Sequence, residues 1–326
     1  MRGPKHESHT LNLYGGMMPM KTFARNLMLA GVLFSFANCN ATSPNTENCY
    51  RIAYTYYSYT DGQNGDIYSV CSDGSGVTRL TNDTAYDGLP AWSPDGTQIA
   101  FVSDRSGGAQ VYRMDADGGN VRQVTTDLQN DDPVWLPDGE QIAFRTTDGQ
   151  GLWWWRVIDL STHQVADLTE ASYDFYFQKQ AWSPAAPEIA YMSLVEQQGR
   201  NDGSSQIHVK AIDGSYDRAL TDNIWANVNP VWSPDGERLA FLSEMHGEYN
   251  VFALYVMGGD GGDVRQISDP KFSESGIFTW SPDGKQIAIG DIYIGHILLF
   301  DVVSGQSSEL LPLQEGESMS DPAWQP

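Results

Sequence analysis

Hydrophobic positions in this chain come in short bursts divided by polar turn text, and residues 90–125 show the unit: PAWSPDGTQIAFVSDRSGGAQVYRMDADGGNVRQVT. Pro90-Ala91-Trp92 is a short apolar strand. Ser93-Pro94-Asp95-Gly96 is a tight turn, because Pro94 presets φ, Asp95 can bond nearby backbone and Gly96 tolerates positive φ. Gln98–Ser103 begins with alternation and is rich in strand formers, so it predicts a second strand. Residues 110–114 predict a third strand and 121–125 a fourth, with the DADGG of 115–119 turning between them. Four antiparallel strands this short bury too little alone, so the unit must stack on neighbours.

The neighbours are in the text. The tryptophan recurs at Trp92, Trp135, Trp182, Trp232, Trp280 and Trp324, at intervals of 43, 47, 50, 48 and 44 residues. The turn returns as LPDG at 136–139 and as SPDG at 233–236 and 281–284, whereas SPAAP at 183–187 lacks the Asp-Gly. The strand after it returns as QIAF at 141–144, EIAY at 188–191, RLAF at 238–241 and QIAI at 286–289. The outer strand returns as VTRLT, VADLT, RALT and VRQIS. A period of about 40–50 residues with four short strands means a β-propeller. The first copy, RIAY at 51–54, has no PAWSPDG ahead of it, and DPAWQP at 321–326 is that missing piece. The expectation is an all-β, six-bladed β-propeller of four-stranded antiparallel blades over residues 49–326. A C-terminal strand should complete the N-terminal blade and leave no open sheet edge.

These residues, PxWSPDGxxIAF followed by IYxMDxDGxxVRQLT-like text, resemble the TolB-like propeller repeat over residues 50–326. The resemblance implies the fold, but it points to no single chemistry. The repeat serves envelope scaffolds, peptidase propellers and lipoproteins alike. In the family's namesake the propeller holds a peptidoglycan-associated lipoprotein, and an α/β domain precedes it. This chain has only linker-like text at 40–48 in that place. What the resemblance implies here is an envelope scaffold whose partner is another envelope protein or a peptide segment.

Residues 1–19 match nothing else in the chain and read as upstream translation or a disordered lead. After Met20, Lys21 and Arg25 precede an apolar run of 11 residues at 27–37, so 20–39 reads as a secretory signal too short to span a membrane. Periplasmic or cell-envelope localisation follows. Cys39 comes just after the apolar run, ahead of a Ser/Thr/Asn/Pro linker at 40–48, as in a bacterial lipoprotein. The preceding Phe36-Ala37-Asn38 departs from a Leu-small-small box, so lipid attachment at Cys39 and ordinary cleavage nearby both stand. The membrane is then met only through that lipid anchor. Cys49 stands before the first blade's second strand and Cys71 at the end of its third, so antiparallel pairing would bring them side by side. In an oxidising compartment a disulfide is expected there rather than two reduced thiols. It would constrain the unfolded chain by about 3 kcal/mol.

Charge narrows the partners. The sequence carries 19 Lys and Arg against 42 Asp and Glu, a formal net charge of −23. Residues 1–46 hold four basic residues and one acidic one, which leaves 15 against 41 in the remainder, or −26. Nucleic acid needs a basic face and is excluded, and an anionic membrane surface is disfavoured. Acidic loops suit solubility, weakly held calcium or a basic partner, and no other cofactor is expected. The chain contains no GxSxG, Walker A, HExxH or CxxC text. His163, His208, His246 and His296 fall on elements that should not converge, and they read as surface or packing residues, not as metal ligands. The DADG of 115–118 echoes a calcium loop without its later Glu and reads as a hairpin turn. Trp153-Trp154-Trp155 falls in a third strand, where alternate rings should pack between blades.

In a propeller the loops entering the inner strands ring the mouth of the central channel. Five residues before each tryptophan stand Asp87, Asn130, Phe177, Asn227, Ser275 and Met319. Tyr173, Phe175, Tyr176 and Phe177 crowd one such loop, and Trp225 occupies the next. The expected site is a recognition patch of Tyr173, Phe175, Phe177 and Trp225, with Asp87, Asn130 and Asn227 supplying polar contacts. Packing of those rings over the channel mouth is the alternative. The expected function is that of a monomeric, non-enzymatic protein-binding scaffold with no catalytic residues. The rival is a glycan-acting hydrolase or lyase with a channel-bound metal, for which Asp87 is the one acidic residue among those channel positions.

Overall fold

The computed structural model describes residues 49–58, 63–168, 181–195, 204–247, 249–291 and 294–326. Among these residues 24 strands form six four-stranded antiparallel sheets, the blades of a propeller. Blade 1 is the divided one. Its inner strand is Glu317–Trp324, followed outward by Arg51–Ser58, Gln63–Cys71 and Thr78–Arg79. The inner strands of blades 2 to 6 are Asp87–Trp92, Gln129–Trp135, Ala181–Trp182, Asn227–Trp232 and Ile277–Trp280. The expected closure is present: Ile52 pairs with Trp324 and Ala53 with Ala323.

The recurring Ile-Ala-Phe text has a packing reason. A second strand is covered by a neighbouring blade on both faces, so its apolar residues run on instead of alternating with polar ones. In blade 2, Ile99 and Phe101 pack with blade 1 while Ala100 packs with blade 3, beneath Trp135. Blade 5 repeats this, with Leu239 and Phe241 toward blade 4 and Ala240 toward blade 6, alongside Trp280. Large side chains thus face the preceding blade, and a single small one leaves room for the next blade's indole. The core is therefore a set of layers between blades.

The tryptophans also tie the ring by hydrogen bonds. Trp92, Trp135 and Trp280 donate their indole N–H to the carbonyls of Ala323, Ala91 and Val231, each one residue before the previous blade's tryptophan. Except for half-buried Trp182, these rings are only 4–8% exposed. The turns after Trp92, Trp232 and Trp280 are each held by a serine, Ser93, Ser233 and Ser281. Ser93 Oγ donates to Asp95 at 2.6 Å and accepts from the Gln98 amide at 2.9 Å, and Gly96 sits at φ 67°. The Thr or Ser that closes the outer strands of blades 1, 2, 4 and 5 has a comparable duty. Thr81, Thr125, Thr221 and Ser268 each accept, at 2.9 Å, from a third-strand amide: Ile67, Val111, Ile207 and Leu254.

Four inner strands carry a bulge. Leu89, Asp132, Asn229 and Asp321 have φ of 47–54°, the register slips beside each, and Pro90, Pro133, Pro230 and Pro322 follow. A bulge on an edge strand accepts a proline because no ladder N–H is required there. The disulfide between Cys49 and Cys71 spans 5.5 Å between Cα atoms and pins the start of blade 1 to the end of its third strand.

Candidate binding face

Outer-to-inner connections and second-to-third connections share one end of the propeller, and the residues expected to offer polar contacts lie there. They are turned inward. Asp87, Asn130 and Asn227 are 0%, 1% and 0% exposed. Asp87 takes both its bonds from Arg105, at 2.8 and 2.9 Å, and that guanidinium also meets Asp83 and lies 5.0 Å over the Tyr112 ring. Asn130 bonds Thr146 in its own blade and Gln110 Oε1 in blade 2 at 3.0 Å. Asn227 likewise accepts from Ser243 at 2.8 Å and donates to Gln206 Oε1 of blade 4 at 3.2 Å. These three side chains therefore brace loops against the preceding blade or their own, which corrects the expectation that they face a partner. A buried amide or carboxylate left without such bonds would cost more than an exposed contact would return.

Within the channel the acidic groups are also engaged. Asp321 accepts from Thr55 at 2.8 Å and Ser320 at 2.9 Å. Asp131 receives a two-point contact from Arg145, at 2.8 Å each, and Asp132 lies 3.2 Å from the same guanidinium. Burial raises the Asp131 carboxyl above its ordinary value, with Arg145 pulling the other way. Burial, and then the charge of Asp321, pushes the Tyr86 hydroxyl up.

The histidines lie apart: His163 in the outer hairpin of blade 3, His208 on a third strand 3.1 Å from Asp217, His246 after the second strand of blade 5. His296 stands one residue ahead of the third strand Ile297–Asp301 of blade 6. Among the described residues no group of three or more His, Cys, Asp or Glu is arranged to hold a metal. Asp115 to Gly118 forms the hairpin turn, closed by the Gly118 amide on the Asp115 carbonyl at 2.9 Å. In the tryptophan triplet Trp155 is buried, Trp154 donates to Asp167, and Trp153 carries Arg145 at 4.5 Å from its ring centre.

Of the aromatic patch, Tyr173, Phe175, Tyr176 and Phe177 lie outside the described residues, as do Cys39 and the signal text. Trp225 is half-buried. Its loop packs on the loop after the second strand of blade 5: the Glu244 amide reaches the Ala226 carbonyl, and Asn223 meets Met245 sulfur at 3.7 Å. A side chain at Gly247 would lie 4.0 Å from the Trp225 ring. The large apolar residues exposed on these two loops are Ile224, 59%, and Tyr249, 63%. Sequence reasoning passed over both, since a single apolar residue in a polar loop carries no periodic signal. It also passed over Gln110 and Gln206, although each stands one residue before the apolar residue whose amide the outer Thr caps.

Closed by its own last strand and built from layers between blades, the molecule is a six-bladed β-propeller of the kind made by WSPDG repeats. The TolB beta propeller domain model matches residues 34–200, and the chain belongs to that family. Among solved structures it is similar to TolB from Acinetobacter baumannii, with a TM-score of 0.71 and 22% identity over 85% of this chain and 67% of that one. Among curated relatives it is similar to an uncharacterized peptidase, YuxL, of Bacillus subtilis, 31% identical over 117 residues. It is also similar to dipeptidyl-peptidase 5 of Porphyromonas endodontalis, 31% identical over 105 residues. Those stretches amount to 31% and 32% of this chain but only 17% and 15% of the two relatives.

Proposed function

We propose that this protein is an exported cell-envelope scaffold that binds another protein or a peptide segment at the blade 4–5 face around Trp225, and that it catalyses no reaction. The observation that carries the reading is the apolar exposure on one pair of packed loops. Ile224 and Tyr249 stand out at 59% and 63% beside half-buried Trp225, in a chain of net charge −23. Apolar groups exposed together on an acidic surface lower solubility unless something covers them. Tyr173, Phe175 and Phe177, which lie outside the described residues, precede the inner strand Ala181–Trp182 in sequence and complete the proposed contact set. A partner with an apolar anchor ringed by basic residues complements such a face. Export rests on the signal text of residues 20–39, with Cys39 as the lipid anchor point. The relatives' peptidase names stay with those proteins, whose matched stretch is a small part of their length.

The test compares capture and melting of the whole exported chain with Tyr249→Ala, Trp225→Ala and Phe175→Ala. The expected result is partner capture weakened by about 1–2 kcal/mol or more, with Tyr249→Ala melting like the parent. Destabilised variants that capture the partner undiminished would put these rings inside the fold and end the reading.

A further inference from the structure

In a domain this acidic, arginines should find carboxylates, and among the described residues Arg79, Arg105, Arg145, Arg156 and Arg238 form ion pairs. Arg113 and Arg122 do not. They are direct partners across the third and outer strands of blade 2. Like charges set opposite each other on an antiparallel pair repel. Arg113 has a 3.3 Å contact from its guanidinium to Gln98 Oε1, and Arg122 is exposed. Asp115, the nearest acid in the lining, is occupied by Asn120 at 2.6 Å.

The other blades show what this pair replaces. At the same register blade 4 has Val209 opposite Arg218, and blade 5 has Val256 opposite Arg265. Both valines are buried against the next blade. Both arginines are stapled to that blade's hairpin. Arg218 donates to the carbonyls of Gly259 and Asp260, and Arg265 to those of Val302 and Val303. The corresponding hairpin for blade 2 begins at Leu160 in blade 3. In place of the staple there is a recess of about 390 Å³ between Arg113 and Arg122 on one side and Leu160 and His163 on the other. A second recess of about 140 Å³ opens on the far side of the same two arginines.

We propose that this cleft at the outer rim between blades 2 and 3 is a binding site for a small ligand carrying an oxyanion group, carboxylate or phosphate, held between Arg113 and Arg122. Two guanidinium groups offer forked donors that match the oxygens of either anion, and the bound charge relieves the repulsion between them. Val124 and Leu160 supply an apolar wall for the rest of the ligand. The site lies at the opposite end of the blades from the channel, so it is independent of the Trp225 face.

The experiment is a melting titration of the whole chain with inorganic phosphate and, separately, citrate, each at constant ionic strength balanced by chloride. Specific binding raises the melting temperature saturably. Arg122→Gln and Arg113→Gln should each weaken that response about tenfold or more, the scale of one charged hydrogen-bonding group. Arg218→Gln, in the stapled blade, should keep the parent's response. Arg113→Val restores the residue used by blades 4 and 5, so it should melt no lower than the parent while losing the response. A response to phosphate alone identifies a phosphoryl ligand and one to citrate alone a carboxylate ligand, and either supports the site. A response no greater than chloride's, one retained in the doubly substituted Arg113→Gln, Arg122→Gln chain, or an Arg113→Val protein that melts well below the parent would overturn it.

Discussion

Ser93 shows how one hydroxyl links two strands and sets a charge. It is 3% exposed, supplies the acceptor for the Gln98 amide and donates to Asp95. That donation is the largest cause holding the Asp95 carboxyl below its ordinary 3.8, with burial opposing it and the Thr97 amide assisting. Asp159 is held lower still, to about 2, by Ser161 and then by Thr162. A carboxyl depressed in the folded state stabilises the fold above its unfolded value, and that contribution is lost as pH falls through the folded value. Buried Asp66 and half-buried Asp131, whose values are raised, act in the opposite sense. The depressed turn carboxylates recur in several blades, at Asp235, Asp283 and Asp301 among others. The melting temperature should therefore fall between about pH 4 and pH 2. Ser93→Ala should cost about 1–2 kcal/mol at pH 7, because it strands the Gln98 amide. That deficit should shrink as pH falls through the parent's depressed Asp95 value and its carboxyl protonates too. Thermal melts of the pair across this range check both statements, and a flat profile would contradict them.

At the scale of the element, the outer strands are the instructive case. The text of blade 2 predicts a strand over 121–125, whereas the strand is Arg122–Gln123. The amides of Val124 and Thr125 both turn to the Val111 carbonyl, so the chain curls off the ladder there, and the Thr125 hydroxyl caps the Val111 amide instead. The recurring final Thr or Ser was legible as repetition, but its duty was not, since a side-chain bond back to a strand 14 residues earlier leaves no periodic trace. Inner and second strands were legible because burial on both faces fixes their text. Asp87, Asn130 and Asn227 were legible as positions and misread in direction. Their partners Arg105, Gln110 and Gln206 lie 18 to 21 residues away in sequence, and only the folded ladders bring them together. Thr125→Val keeps shape and removes both the acceptor for Val111 and the donor to Gln110 Oε1, at 2.7 Å. The expected cost is about 1–3 kcal/mol, read by denaturant melting. Faster amide exchange at Val111 should accompany it. A stability equal to the parent's would mean the cap contributes nothing.

For the whole molecule the decisive contact is blade 1's seam. Glu317–Trp324 supplies its inner strand, Trp324 is 5% exposed within the layer shared by blades 6 and 1, and the Gln325 amide bonds the Arg51 carbonyl at 2.8 Å. Removing residues 321–326 leaves backbone groups on Arg51–Ser58 without partners and strips an indole from the core. A loss of roughly 3–5 kcal/mol is expected for the ring alone, a large share of a typical domain's stability. An unchanged melting curve for the truncated chain would refute closure through this strand. The same seam sets an order of events on the ribosome. Arg51–Ser58 is made first among the blade strands, yet its inner partner is translated roughly 270 residues later, after every other blade. The first blade begun is the last one finished. Once the chain stands in an oxidising compartment, the Cys49–Cys71 bond ties the start of blade 1 to its third strand whether or not Trp324 has docked, so the last closing step is made by non-covalent contacts alone.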